Sequence, residues 1–196
     1  EGARIWDVRD LITGSMGQIL AFILGLSFVL LMLMLRSVLL PLKAVVMNLL
    51  SIGAAFGVLV AVFQWGWLDG FAGFESAGAL DTINLPLIVA VVFGLSMDYE
   101  VFLLSRIRER YLAHGDNRRA VAEGLASSAP TISSAALIMT CVFAVFVLTG
   151  VPSIKELGVG LAIAIALDAT VVRLVLVPAA MQLMGRWNWW LPGWLD

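Results

Sequence analysis

Five long apolar segments dominate this sequence and limit what it can fold into. Each holds roughly the 20 apolar residues that an α-helix needs to cross the hydrocarbon core of a bilayer. They run from about residue 15 to 35, 38 to 65, 83 to 104, 132 to 148 and 157 to 181. The sequence therefore predicts an all-α fold: a polytopic membrane helix bundle with about five transmembrane helices, in a single domain over residues 1–196.

The composition supports a membrane environment. Hydrophobic residues make up 61% of the chain and charged residues 13%, whereas a soluble domain is about 25% charged. A soluble fold of this size would have too little polar surface to cover its apolar side chains. The net charge of -2 gives no indication of a nucleic-acid partner, and the single Cys141 excludes a disulfide framework. We expect membrane lipids as partners, and no cofactor or metal.

The basic residues predict the orientation. Eight of the twelve lie in the connections after the first and third segments and in the tail, and the opposite side holds only Arg4, Arg9 and Lys155. Because cytoplasmic loops carry an excess of Lys and Arg, we expect the N-terminus outside and the C-terminus in the cytoplasm. The chain begins at Glu1 rather than Met, so we also expect it to be a piece of a longer protein. The eight residues are Arg36, Lys43, Arg106, Arg108, Arg110, Arg118, Arg119 and Arg186.

The connection over about residues 106–127 has two interpretations. It can form an amphipathic helix on the membrane surface, with Ile107, Tyr111, Ala120 and Leu125 toward the lipid and the arginines toward water. A solvated basic loop explains the same charges equally well. Two Trp-rich stretches, residues 65–81 and 186–196, are typical of segments at the membrane interface.

Asp98 is a carboxylate inside the third apolar segment. It precedes Arg106 by eight residues, or about 12 Å of helix, which places it near the bilayer midplane. An ionisable residue there is costly and is by default a functional candidate. Desolvation favours the protonated form of a carboxyl group, so an acid at this depth can take up and release a proton. Tyr99 faces a different helix, and a purely structural role for Asp98 remains open.

Three further charges lie in the apolar segments. Glu100 points away from Asp98, toward interfacial water or a cytoplasmic arginine. Asp168 and Arg173 are five residues apart, about 140° around an α-helix, so we expect a direct pair to be strained. Each should instead pair with a neighbouring helix, with Arg173 and Glu100 as one possibility, and we interpret Asp168 and Arg173 as structural. Phe102, one turn beyond Asp98, either closes a proton path or fills space.

The stretch GLSMDYEVFLLSRIRERY, from Gly94 to Tyr111, closely resembles a signature of the MmpL family of lipid exporters, within the RND superfamily. The segments RSVLLPLKAVVMNLLS and ALDATVVRLVLVPAAMQLMGRWNWWLP also look like that family's C-terminal half. The resemblance implies helices eight to twelve of a twelve-helix transporter in the bacterial cytoplasmic (inner) membrane.

The same resemblance assigns roles to individual residues. Asp98 and Tyr99 match the family's proton-relay pair, Phe102 matches the aromatic position below it, and Ser96 and Glu100 are adjacent to the relay. The family pattern implies a corresponding Asp-Tyr pair in the missing N-terminal half. The expected function is export of lipids or other hydrophobic molecules, driven by the proton-motive force. The coupling ion is the proton, and the protein is a secondary active transporter, not an enzyme.

Three alternatives belong to other classes. The RND-type helix bundle is shared with lipid- and sterol-sensing modules, which do not pump and should tolerate a collapsed proton gradient. Gly94-Leu-Ser96-Met suggests an intramembrane serine protease, which would need His114 as its base. A structural or assembly subunit is the third, and the midplane Asp98 argues against it.

Overall fold

The computed structural model describes residues 2–67 and 84–190, with only the backbone described for residues 2–16, 19 and 20. All regular structure in these ranges is helical, which confirms the predicted all-α class. α2 and α5 each continue into a π-helical segment, and α4 ends in a 3-10 turn. The bounds are α1 Gly2–Leu35, α2 Leu39–Leu59 with its π segment Val60–Gln64, α3 Asn84–His114, α4 Asn117–Ala144 with its 3-10 turn Val145–Leu148, α5 Pro152–Leu167 with its π segment Asp168–Leu176, α6 Val177–Met184, and a final 3-10 turn Gly185–Trp189.

The helices have the length and composition of membrane spans. In the described ranges, four continuous helical stretches qualify, and α1 adds the shorter apolar stretch Ala21–Leu35. Their outward faces carry large exposed apolar side chains such as Phe22, Leu33 and Leu148. Lipid accommodates such a surface, whereas water does not. The four stretches are Leu39–Gln64, Asn84–His114, Asn117–Leu148 and Pro152–Trp189.

α5 and its continuation pack against α2, α3 and α4. One apolar cluster includes Leu35, Leu104 and Met181 and joins the end of α1, the second half of α3 and α6. A second cluster, toward the other end, includes Leu59 and Phe93 and joins α2, α3 and α5. The interior also contains buried polar residues of α3 and of α5 with its continuation, among them Ser96, Asp168 and Arg173.

The connection over residues 106–127 is neither a single surface helix nor a loop, so this expectation is corrected. α3 continues to His114, and α4 begins at Asn117. Gly115 reverses the chain with a φ of +71°, a conformation that glycine adopts without a steric penalty. Asp116 then caps α4, because its carboxylate accepts hydrogen bonds from the backbone N–H of Arg118 and Arg119. Apolar side chains in this region, including Ile107 and Ala120, pack inside the bundle rather than against lipid.

Three chain segments meet at this end of the bundle. Ser37, between α1 and α2, donates from Oγ to the carbonyl of Asn188 at 2.6 Å. Asn117, at the start of α4, donates from Nδ2 to the carbonyl of Met181 at 2.9 Å. The ring of Tyr111 stacks on Trp189 at a centroid distance of 4.4 Å. Most of the positive charge is carried by these two connections and the tail. All three therefore lie at the same end of the bundle. Most of the predicted interfacial stretch 65–81, and residues 191–196 of the tail, lie outside the described ranges.

The small residues of the helices do not all serve packing within this chain. A Cβ added at Gly124 would lie 2.8 Å from the Cα and 2.9 Å from the backbone nitrogen of Ile107, so α3 and α4 approach closely there. A Cβ added at Gly53 or Gly57 would have no neighbouring atom within 4 Å. Close approach of helix backbones through small residues therefore occurs at Gly124.

We predict that Gly124→Ala destabilises the protein by about 1 to 3 kcal/mol, because the added methyl group meets backbone atoms that cannot rotate away. Gly53→Ala is the matched control and should change stability by no more than about 1 kcal/mol, in the stabilising direction. Thermal unfolding of the purified protein in detergent measures both. Equal melting temperatures for the two variants would contradict the close approach of α3 and α4.

Candidate functional site

Asp98 lies on an exposed face of α3 and borders a groove between α1 and α3. The groove encloses a cavity of about 430 Å³. Its other walls are apolar except for Ser27, and they include Leu30, Phe93 and Met97. The Asp98 carboxylate is therefore directed out of this set of helices rather than into their core.

Ser96 and Glu100 occupy the opposite, buried face of the same helix. They are four residues apart, so they lie one above the other on α3. Each is only 3% exposed. α3 thus carries polar groups on two faces, one closed by the other helices of this chain and one open at Asp98.

Arg173 and Asp168 form a buried ion pair within one helix. The Asp168 Oδ2 accepts hydrogen bonds from Nε of Arg173 at 2.8 Å and from its Nη2 at 2.7 Å, and Arg173 is 2% exposed. The expectation that each would pair with a neighbouring helix was wrong. Residues Asp168–Leu176 are π-helical, and a π-helix closes i to i+5 hydrogen bonds, so residues five apart lie on the same side.

The same guanidinium connects α5 to α3 and α2. Nη2 of Arg173 donates to Ser96 Oγ at 2.7 Å and also to the Ser96 carbonyl oxygen. Ser96 Oγ in turn donates to Oδ1 of Asn48 on α2, at 2.6 Å. Three helices are therefore joined by one buried hydrogen-bond network. Such a network is expensive to leave partly satisfied, so it fixes how these helices pack.

Tyr99 contacts the ion pair from the other side. The Cζ atom of Arg173 lies 5.5 Å from the centroid of the Tyr99 ring, within the range of a cation–π interaction. Tyr99, Ser96 and Asp168 also line a small cavity of about 10 Å³. The two residues of the predicted relay are thus divided: Asp98 lies on the open groove and Tyr99 lies against the buried charges.

Glu100 is buried near a second cation. The expected pair of Glu100 with Arg173 does not form, because Arg173 pairs with Asp168 instead. Oε1 of Glu100 has no hydrogen-bond partner among the described residues. Lys43 of α2 attracts Glu100 electrostatically, and its Nζ donates to the carbonyl of Val177 at 3.2 Å. The buried polar region therefore extends from Arg173 and Asp168 toward Lys43.

Lys43 and Asn48 belong to this buried polar region but are not predicted from the sequence. The positive-inside rule groups Lys43 with the cytoplasmic loop charges, but it lies one turn inside α2 and is buried. Asn48 is a lone amide in the apolar stretch VVMNLLS. A polar residue inside a predicted span was the signal that could have identified Asn48.

The remaining candidates lie outside the network. Phe102 is half-buried, and the Arg106 guanidinium carbon lies 5.6 Å from its ring centroid. The structure does not bring together the two residues that the protease alternative requires. His114 is eighteen residues from Ser96, about 27 Å along α3, and its Nε2 lies 3.5 Å from Glu123. The Ser96 hydroxyl already bonds Asn48 and Arg173.

A double-mutant cycle tests the buried pair. Asp168→Leu alone should destabilise the protein by about 3 to 5 kcal/mol, because it leaves a buried guanidinium without its counter-ion. Asp168→Leu combined with Arg173→Met should cost clearly less than the single change, since it removes both charges. Val171→Ala, an exposed position of the same π segment, serves as the control. Additive losses in the cycle, measured by unfolding in detergent, would exclude the interaction.

The sequence matches the MMPL family over residues 1–194. It is 53% identical over 193 residues to the heme uptake protein MmpL11 of Mycobacterium tuberculosis, covering 98% of this chain and 20% of that protein. It is 53% identical over 194 residues to the mycolic acid-containing lipids exporter MmpL11 of Mycolicibacterium smegmatis, covering 99% and 20%. It is 39% identical over 180 residues to the trehalose monomycolate exporter MmpL3 of M. tuberculosis, covering 92% and 19%. The chain spans about a fifth of the length of these relatives.

Proposed function

This chain belongs to the MMPL family, as the resemblance of the stretch from Gly94 to Tyr111 predicted, and we propose that it forms half of the membrane domain of a proton-driven exporter. In this proposal Asp98 and Tyr99 are one half of the proton relay. The other half comes from an N-terminal set of helices in the same transporter. The protein is a secondary active transporter in the bacterial cytoplasmic membrane.

The placement of Asp98 and Tyr99 is the observation that carries the proposal. Asp98 lies on an open groove, where a helix from the other half can cover it and exchange a hydrogen bond or a proton with it. Tyr99 follows it directly and contacts Arg173. Asp98 is therefore adjacent in sequence to a residue that contacts the buried ion pair. The hydrogen-bond network around that pair joins three helices.

The proposed cycle uses two states. With Asp98 charged, the site needs a hydrogen-bonding or cationic partner from the other half, because an unpaired charge at this depth is costly. With Asp98 protonated, that attraction weakens and the two halves can shift. Moving one charge through the membrane potential supplies about 2.3 kcal/mol per 100 mV. A few protons per cycle are enough to bias such an equilibrium.

We propose a lipid or another hydrophobic molecule as the substrate. The named relatives handle molecules of this kind: the M. smegmatis protein exports mycolic acid-containing lipids and one M. tuberculosis protein takes up heme. The choice of substrate is left to the parts of the transporter outside this chain.

We predict that Asp98→Asn in the intact transporter reduces transport by at least about tenfold, while the protein remains folded and in the membrane. Asparagine has nearly the same shape but cannot take up the proton. Within the described helices Asp98 borders an open groove, so the change leaves no buried partner unsatisfied among them. The measurement is export of the labelled lipid substrate from energised vesicles or cells, normalised to the amount of transporter.

Glu109→Gln is the matched control. It also neutralises a carboxylate on α3, but within the described ranges Glu109 makes only an exposed pair with Arg106. Its transport should equal that of the wild type and should fail when an uncoupler collapses the proton gradient. Wild-type transport by Asp98→Asn would contradict the relay. Transport that persists after the gradient collapses would favour a module without pumping activity.

The proposed orientation can be tested by cysteine labelling in a Cys141→Ser background. Leu112→Cys, at the exposed end of α3, should be protected from a membrane-impermeant maleimide in intact spheroplasts, because this end faces the cytoplasm. Val151→Cys, between α4 and α5, should react. Labelling with the reverse pattern would show the opposite topology.

A further inference from the structure

The geometry points to a binding site for an anionic phospholipid headgroup at the α3–α4 turn, separate from the proton relay. An open cavity of about 830 Å³ lies there. We name it the headgroup groove. One wall is the turn, which carries Asn117 and Arg118, and the other is the end of α6 with the residues that follow it, including Gln182, Leu183 and Arg186.

The headgroup groove is preformed rather than loosely assembled. Gly115 and Gly185 form its two turns with φ angles of +71° and +54°, and neither places a side chain in the opening. Asn117 ties the walls together: its Nδ2 donates to the Met181 carbonyl at 2.9 Å, and its Oδ1 accepts from Nε1 of Trp189 at 3.0 Å. A ligand would therefore meet a fixed shape, which lowers the entropic cost of binding.

Two cations from separate walls give the groove its charge preference. Arg118 and Arg186 are both exposed, and within residues 17–67 and 84–190 neither guanidinium has an ion-pair partner. The one acid among the residues that line the groove, Asp116, caps α4 by accepting from the backbone N–H of Arg118 and Arg119, so the two arginines leave the groove with a net positive charge. Planar guanidinium groups match phosphate oxygens in two-point hydrogen bonds, so a phosphate is the ligand group that fits.

The neighbouring apolar surface favours a lipid over a soluble phosphate. Leu183 lines the groove and is 89% exposed, and Trp187 and Trp190 are 67% and 48% exposed. Tryptophan rings mark the depth of the headgroups, where a phosphate would sit beside the arginines and an acyl chain along α6. Basic pockets between membrane helices on the cytoplasmic side bind anionic headgroups in this way.

The test is a calorimetric titration of the intact transporter, purified in a neutral detergent, with short-chain phosphatidylglycerol. We expect saturable binding by the wild type. The double variant Arg118→Gln with Arg186→Gln should bind at least about tenfold more weakly, because both phosphate contacts are lost. Short-chain phosphatidylcholine should bind weakly and equally to both proteins.

Two further double variants separate the groove from general effects of charge and folding. Arg110→Gln with Arg119→Gln removes the same charge from the same end, but these arginines face Glu123 at 4.0 and 2.7 Å. It should keep the wild-type affinity within about twofold. Arg118→Lys with Arg186→Lys should bind more tightly than the Gln variant. No binding by the wild type, equal losses in both Gln variants, or equal affinity for inorganic phosphate would each overturn the lipid site.

Discussion

The guanidinium of Arg173, 2% exposed in the interior of the bundle, determines how the helices around it can pack. A buried cation needs a counter-charge and hydrogen-bond acceptors to offset its desolvation. Asp168 supplies the charge and Ser96 supplies acceptors from another helix, whereas Nη1 of Arg173 has no hydrogen-bond partner among the described residues. The π-helical segment Asp168–Leu176 makes this possible, because in a regular α-helix the two side chains would point about 140° apart.

The consequences are greatest on α3. The Ser96 face is held by Arg173 and Asn48, so α3 has little freedom to rotate against α2 and α5. The Asp98 face makes no comparable polar contact with the described helices and borders the open groove instead. One helix thus combines a rigid face and an accessible acid. Tyr99 connects the two through its contact with Arg173, which suits a site where a change of charge must alter helix packing.

Much of the architecture follows from the sequence alone. Long apolar segments predict membrane helices because a span needs about 20 apolar residues, and the described helices match that class. Asp98 and Tyr99 are also visible in the sequence, since a carboxylate in an apolar segment is rare. The sequence predicts that the basic connections lie on the same side of the membrane. The contacts of Ser37 and Asn117 at one end of the bundle agree with that prediction.

The contacts inside the site could not be predicted in the same way. Asp168 and Arg173 are five residues apart, and this spacing allows a direct pair only in a π-helix. Local sequence propensity does not predict where an α-helix changes to a π-helix. The burial of Lys43 does not follow from the sequence, because the positive-inside rule counts basic residues without regard to tertiary contacts. The sequence also does not predict which face of α3 is open, since a membrane helix is apolar on both its packed and its lipid-facing sides.

Infrared difference spectroscopy of the intact transporter tests most directly whether Asp98 takes up the proton and Tyr99 responds to it. On acidification, the wild type should gain a protonated-carboxyl C=O band together with a change in a tyrosine ring band. Because the other acids of the protein also protonate, the spectrum of Asp98→Asn should lack only the Asp98 part of the carboxyl band, together with the tyrosine signal, and Tyr99→Phe should keep the carboxyl band while losing the tyrosine signal. A carboxyl band of wild-type size in Asp98→Asn would contradict the assignment, because the proton would then reside on another acid.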